Sequence, residues 1–326
     1  MSRIVRAMHR AVRVPGQRGP YDTLHARIYY PGRLTGAHAE RETGAVEADG
    51  DAGPFPVVIF LPGHNVGPES YRWLGQALAD RGYAFVTFGF VGETAPGQHG
   101  LTPGVDLPRC RPEAYGHAPT STTIGPLLEE LARVQCDGVL AGLLDLEHVV
   151  LGGHSAGGTV ALQNAALRYF NSLTAAFSYA GHAGARTAWG WPEGAVMPVP
   201  AEVPLLLMGG ERDGVIAASG HRYGGQPDAF ALLRRTFAEA IPGGRGDAHM
   251  FLLAGANHSS FCHPDDPTTG RSFLDHRATA PGEALRGFFV ELISTFLDAY
   301  VREDGEVVDQ LELLAAHPLV LEAGRR

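Results

Sequence analysis

Long hydrophobic runs are missing from this 326-residue chain, and so are paired cysteines, an excess of positive charge and metal-ligand signatures. The unbroken apolar stretches, such as residues 57–61, are far too short to cross a bilayer. Residues 1–14 carry Arg3, Arg6, Arg10 and Arg13 but no apolar signal core, so a soluble, cytoplasmic protein is expected. The three cysteines, Cys110, Cys136 and Cys262, follow no redox or metal spacing, and an odd number closes no disulfide framework; free thiols are expected. Fifteen histidines occur without an H-E-x-x-H run, which argues against a metal. With 26 Lys+Arg against 35 Asp+Glu, the formal charge of −9 excludes a broad nucleic-acid surface and disfavours polyanionic partners.

What is present is a composition of 44% hydrophobic and 19% charged residues, fit for a large core. One domain over residues 1–326 is expected, with excursions. Residues 25–30 read as a strand ending at Pro31 and Gly32, with residues 11–14 as its antiparallel partner across a Pro/Gly-rich turn. Residues 33–54 hold almost nothing large and apolar and read as a mobile surface loop. From Pro56 onward strands alternate with helices. Strands are expected at 57–61, 84–90, 148–151, 174–179, 203–208 and 250–254, and helices at 69–81, 123–135, 156–170 and 284–301. This alternation predicts a mostly parallel sheet covered on both faces by helices. Residues 91–122 and 182–202 leave the carboxyl ends of strands and read as pocket-forming excursions, while 302–326 reads as a C-terminal extension.

Chemistry is signalled most directly by Gly153-His154-Ser155-Ala156-Gly157, a G-x-S-x-G run entered by a β-branched strand and left by an amphipathic helix. In that setting a sharp strand-to-helix turn presents the serine hydroxyl above a sheet. Side chains two residues before or after would collide with the neighbouring strand and helix. No lysine follows the glycines as a phosphate-binding loop requires, and their spacing does not fit a dinucleotide fingerprint. A serine hydroxyl needs a base, and in a turn of this kind the partners follow in the order Ser, acid, His. Asp213, beyond the strand at 203–208, is the expected acid, with Glu211 as its rival; capping of a turn or helix is the purely structural alternative. His258, after the strand at 250–254, is the expected base, with His263 as competitor. Oxyanion donors are expected from the backbone N–H groups of Ala156 and His64, the latter within Pro62-Gly63-His64-Asn65. The His64 and His154 side chains read as pocket walls or supports.

Together residues 57–64, 153–157, 205–213 and 255–258 resemble the α/β-hydrolase superfamily, in particular its branch of chlorophyllases, platelet-activating-factor acetylhydrolase-like enzymes, bacterial polyester hydrolases and dienelactone hydrolases. The resemblance implies the α/β-hydrolase fold and hydrolysis of a carboxylic ester through a Ser-His-Asp triad and an acyl-enzyme, without a cofactor. Dienelactone hydrolases use a cysteine where Ser155 stands, which favours the ester-cleaving relatives. Many relatives have His-Gly where this chain has Pro62-Gly63, which weakens the second oxyanion donor. The expected partner is a small-molecule ester with an apolar portion, for which Trp189, Trp191, Tyr115 and Phe261 are candidate wall residues. Acyl transfer or cyclisation by the same triad, and a non-catalytic binding protein on the same scaffold, are the competing readings.

Overall fold

The computed structural model describes residues 2–95, 97–224 and 227–326. Among them, ten strands form one sheet in the order β1-β2-β4-β3-β6-β7-β8-β9-β10, with β5 (Gln98–Leu101) attached to β4, and eight α-helices accompany it. The centre is β4 (Ala84–Ala95), β3 (Phe55–Leu61), β6 (Leu144–His154), β7 (Leu173–Tyr179), β8 (Leu205–Gly210) and β9 (Ala248–Leu253). These six strands pair in parallel. Antiparallel pairs flank them. On one side stand β1 (Ser2–Arg13) and β2 (Thr23–Leu34), with β2 laid against β4; on the other, β10 (Val320–Arg325) runs against β9.

Continuous apolar runs form the central strands because both faces are covered. Along β3, Val57, Ile59 and Leu61 enter one core cluster while Val58 and Phe60 enter the other. Helices α3 (Ile124–Val134) and α4 (Ala156–Gln163) pack into the first cluster, and α2 (Arg72–Asp80) and α7 (Gly282–Tyr300) into the second. The buried stripe of α7, Leu285, Phe288, Phe289, Leu292, Phe296 and Leu297, is the one expected from its spacing. No described helix is long and apolar enough to cross a membrane. All three cysteines are free, with Cys110 and Cys262 buried and Cys136 exposed.

Several expectations need correction. The N-terminal strands are longer than predicted, and β2 continues through Pro31 and Gly32 to Leu34. That is possible because β4 pairs only as far as Tyr29, so Pro31 needs no N–H for an inner ladder. Residues 33–54, expected as a mobile surface loop, carry helix α1 (His38–Thr43) and then dock onto β2. Val46 and Ala48 are buried, Tyr30 Oη donates to Val46 O (2.9 Å) and Arg33 N to Glu47 O (3.0 Å). Two small apolar side chains and backbone hydrogen bonds to an existing strand suffice, a source of order that composition does not report. Helix α4 ends at Gln163, not near 170, where Asn164 turns its side-chain amide onto Thr120 Oγ1 and Val160 O (both 2.8 Å). The predicted extension at 302–326 holds α8 (Gly305–Leu314) and the edge strand β10, so it is part of the sheet.

Candidate active site

Strands β3 and β6 lie side by side in register, with Leu61 opposite Gly153, so the loops leaving their carboxyl ends emerge together. The turn after β6 is held by backbone. Ser155 has φ 53° and ψ −119°, a conformation that L-residues rarely adopt and that a surrounding structure must impose. Its N–H donates to Tyr179 O of β7 (2.8 Å), and its carbonyl accepts from Thr159 N (2.9 Å) in the first turn of α4. A Cβ on Gly153 would lie 2.4 Å from the Gly157 backbone, and one on Gly157 would lie 2.0 Å from Leu61 O. The predicted collisions with helix and strand are therefore both present.

His258 and Asp213 approach from the other side of the sheet's carboxyl end. Asp213 follows β8 and His258 follows β9, and His258 Nδ1 lies 2.8 Å from Asp213 Oδ2. The other Asp213 oxygen accepts from Ile216 N (2.8 Å), capping α5 (Gly214–Ser219), so one carboxylate both meets His258 and caps a helix. Burial by itself pushes the His258 imidazole down. The Asp213 charge and hydrogen bond, aided by Asp275, outweigh it, and the net displacement is upward. Of the rivals, Glu211 Oε2 accepts from Gly255 N (3.0 Å) and shapes the turn leading to His258, while His263 is exposed. The His258 ring lies 4.7 Å, centroid to centroid, from His154, the residue before Ser155. Among the described residues no hydrogen bond joins Ser155 Oγ to His258, although both line one cavity. Such contacts commonly tighten only when substrate is bound.

One residue that sequence reasoning missed fixes this half of the site. Asp275 Oδ1 accepts from Gly214 N (3.2 Å) and His258 N (3.1 Å), and its Oδ2 accepts from Ser259 N and Ser259 Oγ (both 3.0 Å). It ties the loop bearing Asp213 to the loop bearing His258. An isolated aspartate in a Gly/Pro/Thr-rich segment carries no local signal for such a task.

The loop after β3 brings His64 to the cavity wall, and Ala156 joins it there. Ala156 opens α4, where the N–H groups of the first turn have no intrahelical acceptor. Asn65 adopts a left-handed φ of 57° and binds β5 (Gln98–Leu101) twice: its N–H donates to Leu101 O (2.8 Å) and its Oδ1 accepts from Leu101 N (3.0 Å). Gly63 N donates to Tyr71 Oη (2.8 Å), which lies 2.9 Å from His154 Nδ1. Cys262 Sγ also lies 3.8 Å from the same Nδ1. His154 Nε2 is buried with no partner among the described residues. Burial, reinforced by the nearby His258, pushes the His154 pKa well down, so the ring stays neutral and serves as a support between the two loops.

The cavity holds about 650 Å³ and is lined by both predicted excursions, through Leu101, Val105, Leu107, His182, Arg186 and Trp189 among others. A third segment not foreseen, following His258, adds Asp265 and residues 269–272. Of the aromatic candidates only Trp189 faces this space. Tyr115 and Trp191 pack edge to face (5.8 Å) and anchor the two excursions to one another. Tyr115 Oη donates to Pro198 O (2.7 Å) and Trp191 Nε1 to Cys110 O (2.8 Å). Phe261 is wholly buried, stacked on Tyr179 at 5.0 Å. Among the described residues no three His, Cys, Asp or Glu side chains gather as a ligand set for a metal ion. Scanned against protein-family models and searched against curated proteins, the chain matches none.

Proposed function

We propose that the chain is a serine hydrolase of the α/β-hydrolase fold that cleaves a carboxylic ester through an acyl-enzyme. The observation that carries this reading is the His258–Asp213 pair at 2.8 Å, its ring 4.7 Å from His154 and hence beside the strained turn of Ser155. With Nδ1 committed to Asp213, the imidazole presents Nε2 as the proton acceptor. His258 takes the Ser155 proton as Oγ attacks the ester carbonyl, and the resulting imidazolium is stabilised by Asp213. The tetrahedral oxyanion is received by the N–H groups of Ala156 and His64, each worth about 3 kcal/mol of barrier. His258 then protonates the leaving alcohol, and water repeats the sequence on the acyl-enzyme. Leu101, Val105 and Leu107 on the wall suit an apolar portion of the substrate.

The test is labelling by a fluorophosphonate together with turnover of short-chain 4-nitrophenyl esters. Wild type is expected to label, and Ser155→Ala to lose both labelling and turnover, by roughly 10³-fold or more in kcat. Labelling that survives in Ser155→Ala would overturn the assignment.

A further inference from the structure

Three guanidinium groups converge on the cavity from separate loops: Arg186 after β7, Arg222 after α5 and Arg271 after β9. Among the described residues none of the three meets a carboxylate. By contrast, Arg10, Arg133, Arg168, Arg234 and Arg325 each sit against an Asp or Glu. Glu69, Glu93, Asp265 and Asp266 also stand on the cavity wall, and of these Glu93 and Asp266 are engaged locally. Glu93 Oε1 accepts from Gly97 N (2.8 Å), and Asp266 Oδ1 accepts from Thr268 N (2.9 Å) and Thr268 Oγ1 (2.5 Å).

The arginines are nonetheless held in place, and by neutral groups. Arg186 donates from Nε to Tyr223 Oη (3.2 Å) and lies over the Trp189 ring at 4.9 Å. Arg271 donates from Nη1 to Ser219 Oγ (2.8 Å), whose own proton goes to Val215 O (2.7 Å). Their position is thus set without cancelling their charge. Burial, then the charge of Arg222, holds the Arg271 pKa down. Desolvation and the Arg186 charge carry His182 down to about 4, and desolvation followed by Arg271 and Arg186 lowers His64. Bringing like charges together in a partly desolvated wall is costly, and an entering anion removes that cost. A planar guanidinium fork matches a carboxylate or a phosphate with two parallel hydrogen bonds.

We propose that the cavity selects esters that carry a second, anionic group, a carboxylate or a phosphate, bound by Arg186, Arg222 and Arg271 while the ester faces Ser155; this rests on the hydrolase reading above. The experiment compares 4-nitrophenyl hydrogen glutarate with 4-nitrophenyl pentanoate, acyl chains of equal length with and without the terminal carboxylate. The charged ester is expected to be preferred by roughly tenfold in kcat/KM, and Arg271→Gln or Arg186→Gln to cut the charged-to-neutral ratio about tenfold, mainly through KM. Arg222→Gln alters an exposed side chain and provides the variant least able to disturb folding; it should lower the ratio in the same direction. Inhibition by glutarate against inorganic phosphate tells the two anions apart. A ratio of one in wild type, or a ratio unmoved by all three substitutions, overturns the inference while leaving the hydrolase reading intact. Should neither ester be turned over and fluorophosphonate fail to label, the hydrolase reading falls. Calorimetric titration of glutarate and phosphate then decides alone: binding weakened tenfold by Arg271→Gln keeps the anion site, and no binding removes it.

Discussion

The two sides of the cavity are built by different means. On the Ser155 side position comes from backbone: strand pairing, a hydrogen bond to Tyr179 O, and glycines packed where any side chain would strike main chain at 2.0–2.4 Å. On the His258 side position comes from carboxylates, with Asp213, Asp275 and Glu211 each accepting backbone N–H groups of the loops around it. Close packing of backbone is unforgiving and insensitive to pH, whereas a clamp of charged acceptors gives way in steps and acts electrically on the group it holds.

The largest test of this contrast is Gly157→Ala. The new methyl meets the Leu61 carbonyl, which no rotamer can relieve, so strand β3 or helix α4 must move. The expected loss is about 3 kcal/mol, read as a fall in denaturation midpoint or as a fall of roughly 10²-fold in ester turnover. A smaller effect is expected from Tyr71→Phe, which strands the buried Gly63 N–H and removes the oxygen partner of His154 Nδ1. About 2 kcal/mol of stability should go, measured by urea unfolding; an unchanged midpoint would show that the link between the two loops contributes nothing. The mildest expected change is Asp275→Asn, which retains part of the clamp and costs about tenfold in kcat/KM. Its sharper signature is in the pH profile. In the proposed mechanism neutral His258 is the working form, and its pKa is displaced upward, so activity should rise with pH along a limb lying above the ordinary 6.5. Asp275 contributes to that upward displacement, so its neutral replacement should move the limb to lower pH; a limb that stays put would remove the electrical role assigned to it.

The same contrast explains what could be read from the amino-acid order. Steric demands around Ser155 act on residues within two positions of it, so Gly153 and Gly157 stand beside it in the sequence and mark the turn. Strands covered on both faces announce themselves as short apolar runs, and the six central strands were legible on that ground. The approach of His258 to Asp213 was legible through chain order and loop position, which put Asp213 ahead of Glu211; the hydrogen bonds place Asp213 on the His258 ring and Glu211 on Gly255 N. Asp275 and the three cavity arginines were not legible, because no pattern in the flanking residues marks their side chains. Strands β5 and β10 escaped for a related reason. They are short and exposed, and they form by pairing with β4 and β9, not by burying a hydrophobic face of their own.

The outermost strands, β1 and β10, leave a row of unpaired backbone groups on each rim of the sheet, the usual template for one molecule to stick to another. Both rims are studded with charge: Arg10 and Arg13 on one, Glu322 and Arg325 on the other. A second chain arriving edge-on would have to strip water from these ions before any ladder could form. The rims therefore favour a dispersed protein at high concentration, and neutralising them is where self-association would begin.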